Sequence, residues 1–147
     1  MRVFFYYSLS GNGDKVASVL EKSGIEVRKV ESLKPFPKSR FLSIMAGGFA
    51  ASIKKKEKLK EYDRSTEGFD EVIIGSPIWN SRFSTPINTV LSELDLKGKK
   101  VYFVLYSASG EAVKAVERIK EEYPDSGFVV IKEPKNNEQL EKLLENV

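Results

Sequence analysis

Two kinds of apolar pattern alternate along this 147-residue chain, and their alternation limits the folds that the chain can adopt. Short, nearly continuous apolar runs are typical of buried strands, and most are followed by apolar residues at the spacing of an amphipathic helix. This order predicts a single α/β domain, residues 1–147, in which a parallel sheet carries helices on both faces. The predicted strands are Val3–Tyr7, Ile25–Val30, Asp70–Gly75, Lys100–Tyr106 and Phe128–Ile131.

Five strands and about five helices in this order are typical of a doubly wound sheet with the strand order 2-1-3-4-5. Ligands bind such sheets beyond the carboxyl ends of the strands, where the winding direction of the chain reverses. The loops after the first, third and fourth predicted strands would meet there. Those loops are Ser8–Gly13, Ser76–Thr85 and Ser107–Gly110. We therefore expect a ligand site where these three loops converge.

The first loop, S-L-S-G-N-G, has the composition of an anion-binding turn. It joins a strand to a helix, so its backbone N–H groups and the positive end of the helix dipole point the same way. Gly11 and Gly13 allow the backbone to approach a ligand closely, because they lack a Cβ atom. Ser8, Ser10 and Asn12 add side-chain donors. A phosphate is the ligand that this combination favours.

Residue spacing distinguishes other interpretations of the loop. A nucleotide-binding P-loop needs a lysine after its second glycine, and neither Gly11 nor Gly13 supplies that frame. A dinucleotide fingerprint would need a third glycine where Val16 stands, although Glu31 is suitably placed as its acidic residue. A Gly/Ser-rich turn that binds no ligand remains an open alternative.

Trp79 is the residue of the second loop with the most chemical interest. An indole in a polar loop either anchors the loop on the core or stacks on a flat ligand, and the neighbouring anion loop favours stacking. The same loop contains Arg82, which either faces the ligand or points to solvent. Thr85 is predicted to cap the following helix and Pro86 to begin it.

The motifs of these loops resemble those of one family. S-L-S-G-N is similar to the phosphate loop of flavodoxins, [ST]-x-[ST]-G-N-[ST], and G-S-P-x-W with the later T-P-I is similar to their segment over the flavin ring. The resemblance includes M-A-G-G-F-A-A before the third strand and covers nearly the whole chain. It implies a flavodoxin-like fold, FMN as the cofactor, and electron transfer through the flavin without a catalytic acid or base from the protein. The implied cofactor-binding residues are Ser8, Leu9, Ser10, Gly11, Asn12, Gly13, Pro77, Ile78, Trp79, Asn80, Ser107, Ala108, Ser109 and Gly110.

Gly13 departs from the family pattern, because a hydroxyl residue usually stands at its position. The departure suggests one missing phosphate donor, and Gly13→Ser is then expected to tighten FMN binding. Two further alternatives stay open: an FMN-dependent NAD(P)H oxidoreductase acting on quinones or similar acceptors, and a relative that keeps the fold but has lost the flavin.

Composition excludes several kinds of chemistry. The chain contains no cysteine and no histidine, which removes thiolate nucleophiles, zinc fingers and Ser-His-Asp triads. We expect no metal site. The lack of an eighteen-residue apolar run and of a signal peptide predicts no membrane span and a cytoplasmic location. A single glutamine, Gln139, and a charged composition resemble proteins from hot environments.

Lysines cluster between positions 54 and 60, although the net charge of the chain is only +3. The cluster is either a solvated helix end or a docking patch for an acidic redox partner. No aromatic residue is interleaved, so nucleic acid is not expected as a partner. The lysines are Lys54, Lys55, Lys56, Lys58 and Lys60.

Two more helices are predicted outside the three loops. Phe41, Met45, Phe49 and Ile53 recur every four residues, and the Gly47-Gly48 pair within them allows close packing of a neighbouring helix or of a second copy in a homodimer. The other predicted helix closes the chain, with apolar positions at Leu140, Leu143, Leu144 and Val147.

Overall fold

The computed structural model describes residues 1–34, 56–79, 81–107, 112–132 and Glu145. Strands and helices follow one another along these residues as the sequence predicts, except that three strands in the middle of the chain have no described helix between them. In chain order they are β1 (Arg2–Tyr6), α1 (Asn12–Lys22), β2 (Glu26–Lys29), β3 (Glu71–Trp79), β4 (Arg82–Phe83), α2 (Thr85–Glu93), β5 (Lys100–Ser107), α3 (Val113–Glu122) and β6 (Gly127–Lys132).

The described strands form one sheet with the order β2-β1-β3-β5-β6. All neighbours in this path are parallel, and the short strand β4 pairs antiparallel with β3 outside the path. The predicted order 2-1-3-4-5 is therefore confirmed for the five long strands. Strand β4 was not predicted, because its two residues were assigned to a loop.

The register brings the carboxyl ends of the strands to one edge of the sheet. Tyr6 lies beside Gly75, and Tyr106 lies beside both Pro77 and Ile131. We call this the carboxyl edge. Strands β1, β3 and β5 all end there, so the segments that follow them start from one edge of the sheet, as the sequence predicts. A ligand site formed by these segments stays a prediction.

Each face of the sheet has its own core, because side chains alternate between the faces along every strand. Phe4 and Tyr6 of β1 pack with Val16 and Leu20 of α1 on one face. Phe5 packs on the opposite face, in the core to which α2 and α3 contribute Ile87, Val90, Ala115 and Ile119. Helices thus cover both faces, as predicted, and we call the second the α2–α3 face.

The ends of the helices follow local sequence signals with one exception. Helix α1 stops before Ser23-Gly24, a pair typical of helix ends, where Gly24 adopts φ 82° and its N–H donates to the carbonyl of Glu21. Helix α2 begins at Thr85 and not at Pro86, and Ser84 holds the cap position assigned to Thr85. That prediction is wrong by one residue, because the Ser84 backbone is already extended while Thr85 is helical.

Two predicted helices fall largely outside the described residues. The helix of residues 41–53, with Gly47-Gly48, lies wholly outside them. Of the predicted C-terminal helix, only Glu145 is described, and it is helical. Within the described part of the chain, each helix is too short or too polar to cross a membrane.

Candidate functional site

The loop after β1 places two backbone donors around a single oxygen atom. The N–H groups of Gly11 and Gly13 both donate to the side-chain oxygen of Ser8, each at 3.1 Å. Gly11 adopts φ 89°, a left-handed conformation that turns the chain into α1 and favours glycine. The loop is therefore shaped to surround an oxygen at the start of a helix, which is the geometry expected of an anion site.

The remaining predicted residues of this loop surround the same turn. Ser8 is half-buried, Leu9 and Ser10 are exposed, and Asn12 is the first residue of α1. The turn that contains the two converging N–H groups thus also contains the Ser10 hydroxyl and the Asn12 amide.

Gly13 is buried, and the space beside it is already filled. A Cβ atom at this position would lie 2.6 Å from the Tyr106 hydroxyl oxygen, 2.9 Å from Ser8 Cβ and 2.9 Å from Tyr6 Cδ2. These distances are much shorter than ordinary van der Waals contacts. The expectation that Gly13→Ser would simply restore a phosphate donor is therefore not supported, because the glycine lets two tyrosines pack beneath the loop.

Tyr106 holds the loop from below through a buried hydrogen bond. Its hydroxyl donates to the backbone carbonyl of Tyr7, the residue immediately before the loop. The side chain is 4% exposed, and its burial raises the pKa of the hydroxyl well above the ordinary value. The hydroxyl is a donor in this contact. Sequence reasoning missed Tyr106 because it lies one residue before the predicted site loop, at the end of β5.

Asp14 places a carboxylate in the first turn of α1, close to the converging N–H groups. One of its oxygens accepts hydrogen bonds from the Tyr6 hydroxyl at 2.9 Å and from the Lys29 ammonium at 2.7 Å. Burial, and then the Asp14 hydrogen bond, raise the pKa of Tyr6. Lys29 thereby offsets a negative charge that would otherwise repel an anion in the loop.

The segment predicted as a loop after β3 is partly a β-hairpin. Strand β3 continues through Trp79 and pairs antiparallel with β4, Ile78 with Phe83 and Trp79 with Arg82. Ser81, in the turn before β4, adopts φ 62°. The predicted loop Ser76–Thr85 is corrected accordingly: Pro77, Ile78 and Trp79 are strand residues, and Asn80 lies outside the described residues.

Trp79 lies next to the start of the first loop. Its indole meets the ring of Tyr7 edge to face, with the ring centroids 5.7 Å apart. The side chain is 5% exposed and belongs to the core of the α2–α3 face. The indole thus anchors the hairpin on the core and also borders the carboxyl edge. Its contact residue, Tyr7, directly precedes Ser8.

An extended segment, residues 56–60, borders the site on the α2–α3 face. Leu33 N–H donates to the Lys58 carbonyl, and Lys60 N–H donates to that of Glu31. The Glu57 carboxylate accepts a hydrogen bond from the Thr85 hydroxyl at the start of α2. These contacts tie the segment to the end of β2 and to α2.

The lysines of this segment share one side of it. Lys56, Lys58 and Lys60 are exposed, whereas the intervening Glu57 and Leu59 are half-buried, an alternation typical of extended chain. The alternative of a solvated helix end does not apply here, since these residues are not helical. Lys60 is paired with Glu31 at 3.6 Å. Lys54 and Lys55 lie outside the described residues.

Ser32 is a further polar residue at this edge that sequence reasoning missed. It is 9% exposed. Among the described residues, its hydroxyl oxygen is the buried side-chain atom for which no partner lies in hydrogen-bonding geometry. It lies near the Tyr7 hydroxyl. The pKa of Tyr7 is raised, chiefly by burial. The nearby Ser32 hydroxyl acts in the opposite direction, and the Glu57 charge adds a smaller increase. No sequence signal marks Ser32 in advance, because its burial depends on its bridge with Leu59.

The two remaining predicted parts of the site have different outcomes. Ser107 is the last residue of β5 and is buried at the carboxyl edge, whereas Ala108, Ser109 and Gly110 lie outside the described residues. Arg82 is half-buried in a pocket between β4, α2 and α3 together with Arg118. Partial burial, and then the neighbouring Arg118 charge, lower the pKa of Arg82.

Comparison with known proteins gives one consistent result. A family model described as Flavodoxin matches residues 2–147. None of the curated proteins matches the chain significantly.

Solved structures with the same fold come from several bacteria. A candidate flavoprotein from Bacteroides uniformis has a TM-score of 0.78 at 20% identity, covering 98% of this chain and 97% of its own. A candidate flavoprotein from Bacteroides eggerthii has a TM-score of 0.74 at 19% identity, covering 98% and 95%. A flavoprotein from Lactobacillus acidophilus in complex with FMN has a TM-score of 0.64 at 21% identity, covering 95% and 97%. At these identities the likeness establishes the fold.

Proposed function

Since the chain belongs to the flavodoxin family, we propose that it binds FMN at the carboxyl edge of its sheet and acts as an electron carrier. The observation that carries this proposal is the convergence of the Gly11 and Gly13 N–H groups on the Ser8 oxygen. That oxygen marks a position where two donors already meet at the start of α1. A phosphate oxygen at this position would gain two N–H donors and the helix dipole without rearrangement of the backbone.

The residues present fit the phosphate end of FMN. Rotation of the Ser8 side chain would free the two N–H groups for the phosphate, and its hydroxyl could then donate as well. The exposed Ser10 hydroxyl and the Asn12 side chain supply further donors from the same turn. The hydroxyl donor that the family usually has at this position is absent in Gly13. The backbone N–H groups and the side chains of Ser8, Ser10 and Asn12 would therefore bind the phosphate.

The ring would lie at the Trp79 hairpin, with residues 107–110 on its other side. The Trp79 indole, which is 5% exposed, would border the ring from the core and would stack on it only after turning out of its contact with Tyr7. Backbone N–H groups of the 107–110 loop would meet the polar edge of the ring. FMN, when bound, supplies the electron-accepting chemistry. The protein then has to bind and orient it and to limit its contact with water. Electron transfer through a bound flavin requires no catalytic acid or base from the protein.

The first experiment is a titration of the flavin-free protein with FMN and with riboflavin, which lacks the phosphate. We expect FMN to bind more tightly by a factor of about 10 or more, because phosphate hydrogen bonds to a charged group are strong. Ser10→Ala should reduce the difference between the two ligands. Ser18→Ala, at an exposed position of helix α1 beyond the loop, is the control and should leave the difference unchanged. A protein that binds neither ligand, or both equally, would contradict the phosphate site.

The second experiment separates a carrier from an NAD(P)H oxidoreductase. A carrier loaded with FMN should be reduced by a chemical reductant and reoxidised by an acceptor, without steady consumption of NADH or NADPH. Continuous nicotinamide oxidation in the presence of a quinone would instead support the enzyme alternative and would overturn the carrier assignment.

We also propose that an acidic redox partner docks at the exposed lysines of residues 56–60. Their segment pairs with residues 31–33, and Ser32 lies near Tyr7, the residue before the first loop. Complementary charge accelerates encounter between partners. Ferricyanide, an anionic electron acceptor, serves as a probe of this surface. Lys58→Gln should slow reoxidation of the reduced protein by ferricyanide but not by a cationic acceptor. Lys114→Gln, an exposed lysine of α3, is the control. Equal effects of both variants, or none, would contradict a local docking patch.

A further inference from the structure

The pocket that contains Arg82 opens on the α2–α3 face, apart from the first loop. Its volume is about 380 Å³, and residues of strand β4 and of helices α2 and α3 line it. This volume lies in the range of pockets that hold small molecules. Its apolar lining includes Phe83, Leu91 and Tyr123. Phe83 is itself fixed by stacking on Phe103, with ring centroids 5.3 Å apart.

Three cationic side chains line the same pocket. Arg82 reaches it from β4, Arg118 from α3 and Lys56 from the extended segment. Arg82 and Arg118 are near enough for the charge of Arg118 to lower the pKa of Arg82, after the larger effect of partial burial. Within the described part of the chain, neither arginine forms a salt bridge with a carboxylate. Two neighbouring guanidinium groups without a carboxylate repel each other, and a bound anion would relieve that repulsion.

The acidic residues of the pocket do not supply that anion. Glu121 and Glu122 also line it, but both are exposed at the end of α3. The arginines are half-buried, whereas the glutamates are exposed, so solvent screens the glutamate charges more strongly. An anion is therefore expected beside the arginines.

We propose that this pocket binds a small anionic ligand in which a carboxylate or phosphate group is joined to an apolar ring or chain. The two guanidinium groups would hold the anion, since their planar donor geometry matches carboxylate and phosphate oxygens. Phe83, Leu91 and Tyr123 would cover the apolar part. This site is separate from the proposed FMN site and does not depend on flavin binding.

The pocket is nevertheless joined to the proposed flavin site through the hairpin. Arg82 is the cross-strand partner of Trp79. A ligand that fixes Arg82 would therefore also restrain the strand pair that carries the indole. The first test concerns binding alone, because binding is the part of the proposal that stands without a flavin.

Phenyl phosphate is a suitable probe, because it joins an aromatic ring to a phosphate. It is titrated into the protein in the presence of saturating FMN, while backbone amide resonances are followed by NMR. Saturable shifts are expected at Phe83, Leu91 and Arg118. Inorganic phosphate and phenol, each with one half of the probe, should bind more weakly. Benzoate should also bind if the site accepts a carboxylate; its failure would restrict the anion to phosphate.

Charge variants make the test specific to the pocket. Arg82→Gln and Arg118→Gln should each weaken phenyl phosphate binding by about tenfold, because each removes a charge-assisted hydrogen bond. Glu121→Gln should strengthen binding, an outcome that partial unfolding of the variant could not imitate. Lys114→Gln, on α3 but outside the pocket lining, should change little.

The proposal is overturned by any of three results. The first is the lack of a saturable shift at the pocket residues. The second is a set of shifts confined to Gly11 and Gly13, which would place the probe at the phosphate loop even when FMN is present. The third is binding that is unchanged in both arginine variants while circular dichroism shows them folded.

Discussion

The ring of Tyr7 meets the indole of Trp79 at an interplanar angle of 88°, in an edge-to-face contact between the ends of two neighbouring strands. The Tyr7 N–H also donates to the Gly75 carbonyl of β3 at 3.2 Å. Tyr7 directly precedes Ser8, so these contacts bring the serine-glycine loop and the tryptophan hairpin together. Two motifs that are far apart in sequence therefore border the same end of the sheet, as a shared ligand site requires.

Trp79 should report flavin binding through its fluorescence. It is the one tryptophan of the chain and is 5% exposed, so emission of the flavin-free protein should be that of a buried indole. If FMN binds beside the hairpin, energy transfer and stacking should quench this emission in step with flavin occupancy. The measurement is tryptophan emission during an FMN titration, with Trp79→Phe as the background control. Unchanged emission at full occupancy would place the ring elsewhere.

Gly13→Ala and Gly13→Ser should destabilise the protein. The new Cβ would press on Tyr106, Ser8 and Tyr6, and overpacking of this kind costs about 1–3 kcal/mol in the free energy of unfolding. Urea unfolding of the flavin-free protein measures the loss. Ser18→Ala, at an exposed position of the same helix α1, is the control and should change the stability little. A serine variant with wild-type stability and tighter FMN binding would instead support a simple missing hydroxyl.

Lys29→Met should weaken FMN binding more than riboflavin binding. Loss of the ammonium would leave the Asp14 carboxylate without its 2.7 Å ion pair, and its charge would then repel the phosphate. Exposed ion pairs contribute up to about 1 kcal/mol, so a two- to fivefold loss of FMN affinity is the expected scale. Lys22→Met, at the other end of α1, is the control. Parallel losses for both flavins would point to general destabilisation and would contradict an electrostatic role.

The strands and their order could be read from the sequence for a physical reason. The central strands β3 and β5 are buried on both faces, so their side chains form nearly continuous apolar runs. Among the described strands, β2 pairs with β1 alone, and it shows an exposed and half-buried pattern instead. Helix α1 likewise ends at a glycine with positive φ that the local sequence already marks.

The hairpin and the packing beneath Gly13 could not be read in the same way. Strand β4 has two residues, which is too short to show a period-two pattern. The contact between Gly13 and Tyr106 joins segments that are distant along the chain. A family pattern gives the residue type expected at position 13 but not the space around it. The glycine was therefore interpreted as a lost donor, when it also accommodates the Tyr106 hydroxyl.

Glu93 at the end of α2 should make the stability of the protein depend on acid pH. Its carboxylate accepts hydrogen bonds from the Tyr62 hydroxyl at 2.6 Å and from Arg64 Nε at 2.9 Å. These two contacts, first that of Tyr62 and then that of Arg64, hold the pKa of Glu93 below its ordinary value of 4.5. The folded state thus binds this proton less readily than the unfolded state does.

The sign of the effect follows from that difference. The stabilisation is fully present above the ordinary pKa of the unfolded state and is lost as the pH falls through the lower pKa of the folded state. Glu93→Gln should therefore be less stable than the wild type at pH 7, and the two proteins should converge in strong acid. Urea unfolding at a series of pH values measures this difference. Glu67→Gln, at an exposed position without an ion pair among the described residues, should show no such convergence. In strong acid a protonated glutamate and a neutral glutamine make similar contacts, so the two proteins should then have similar free energies of unfolding. A difference in the free energy of unfolding that stays constant down to strong acid would mean that the carboxylate charge plays no part.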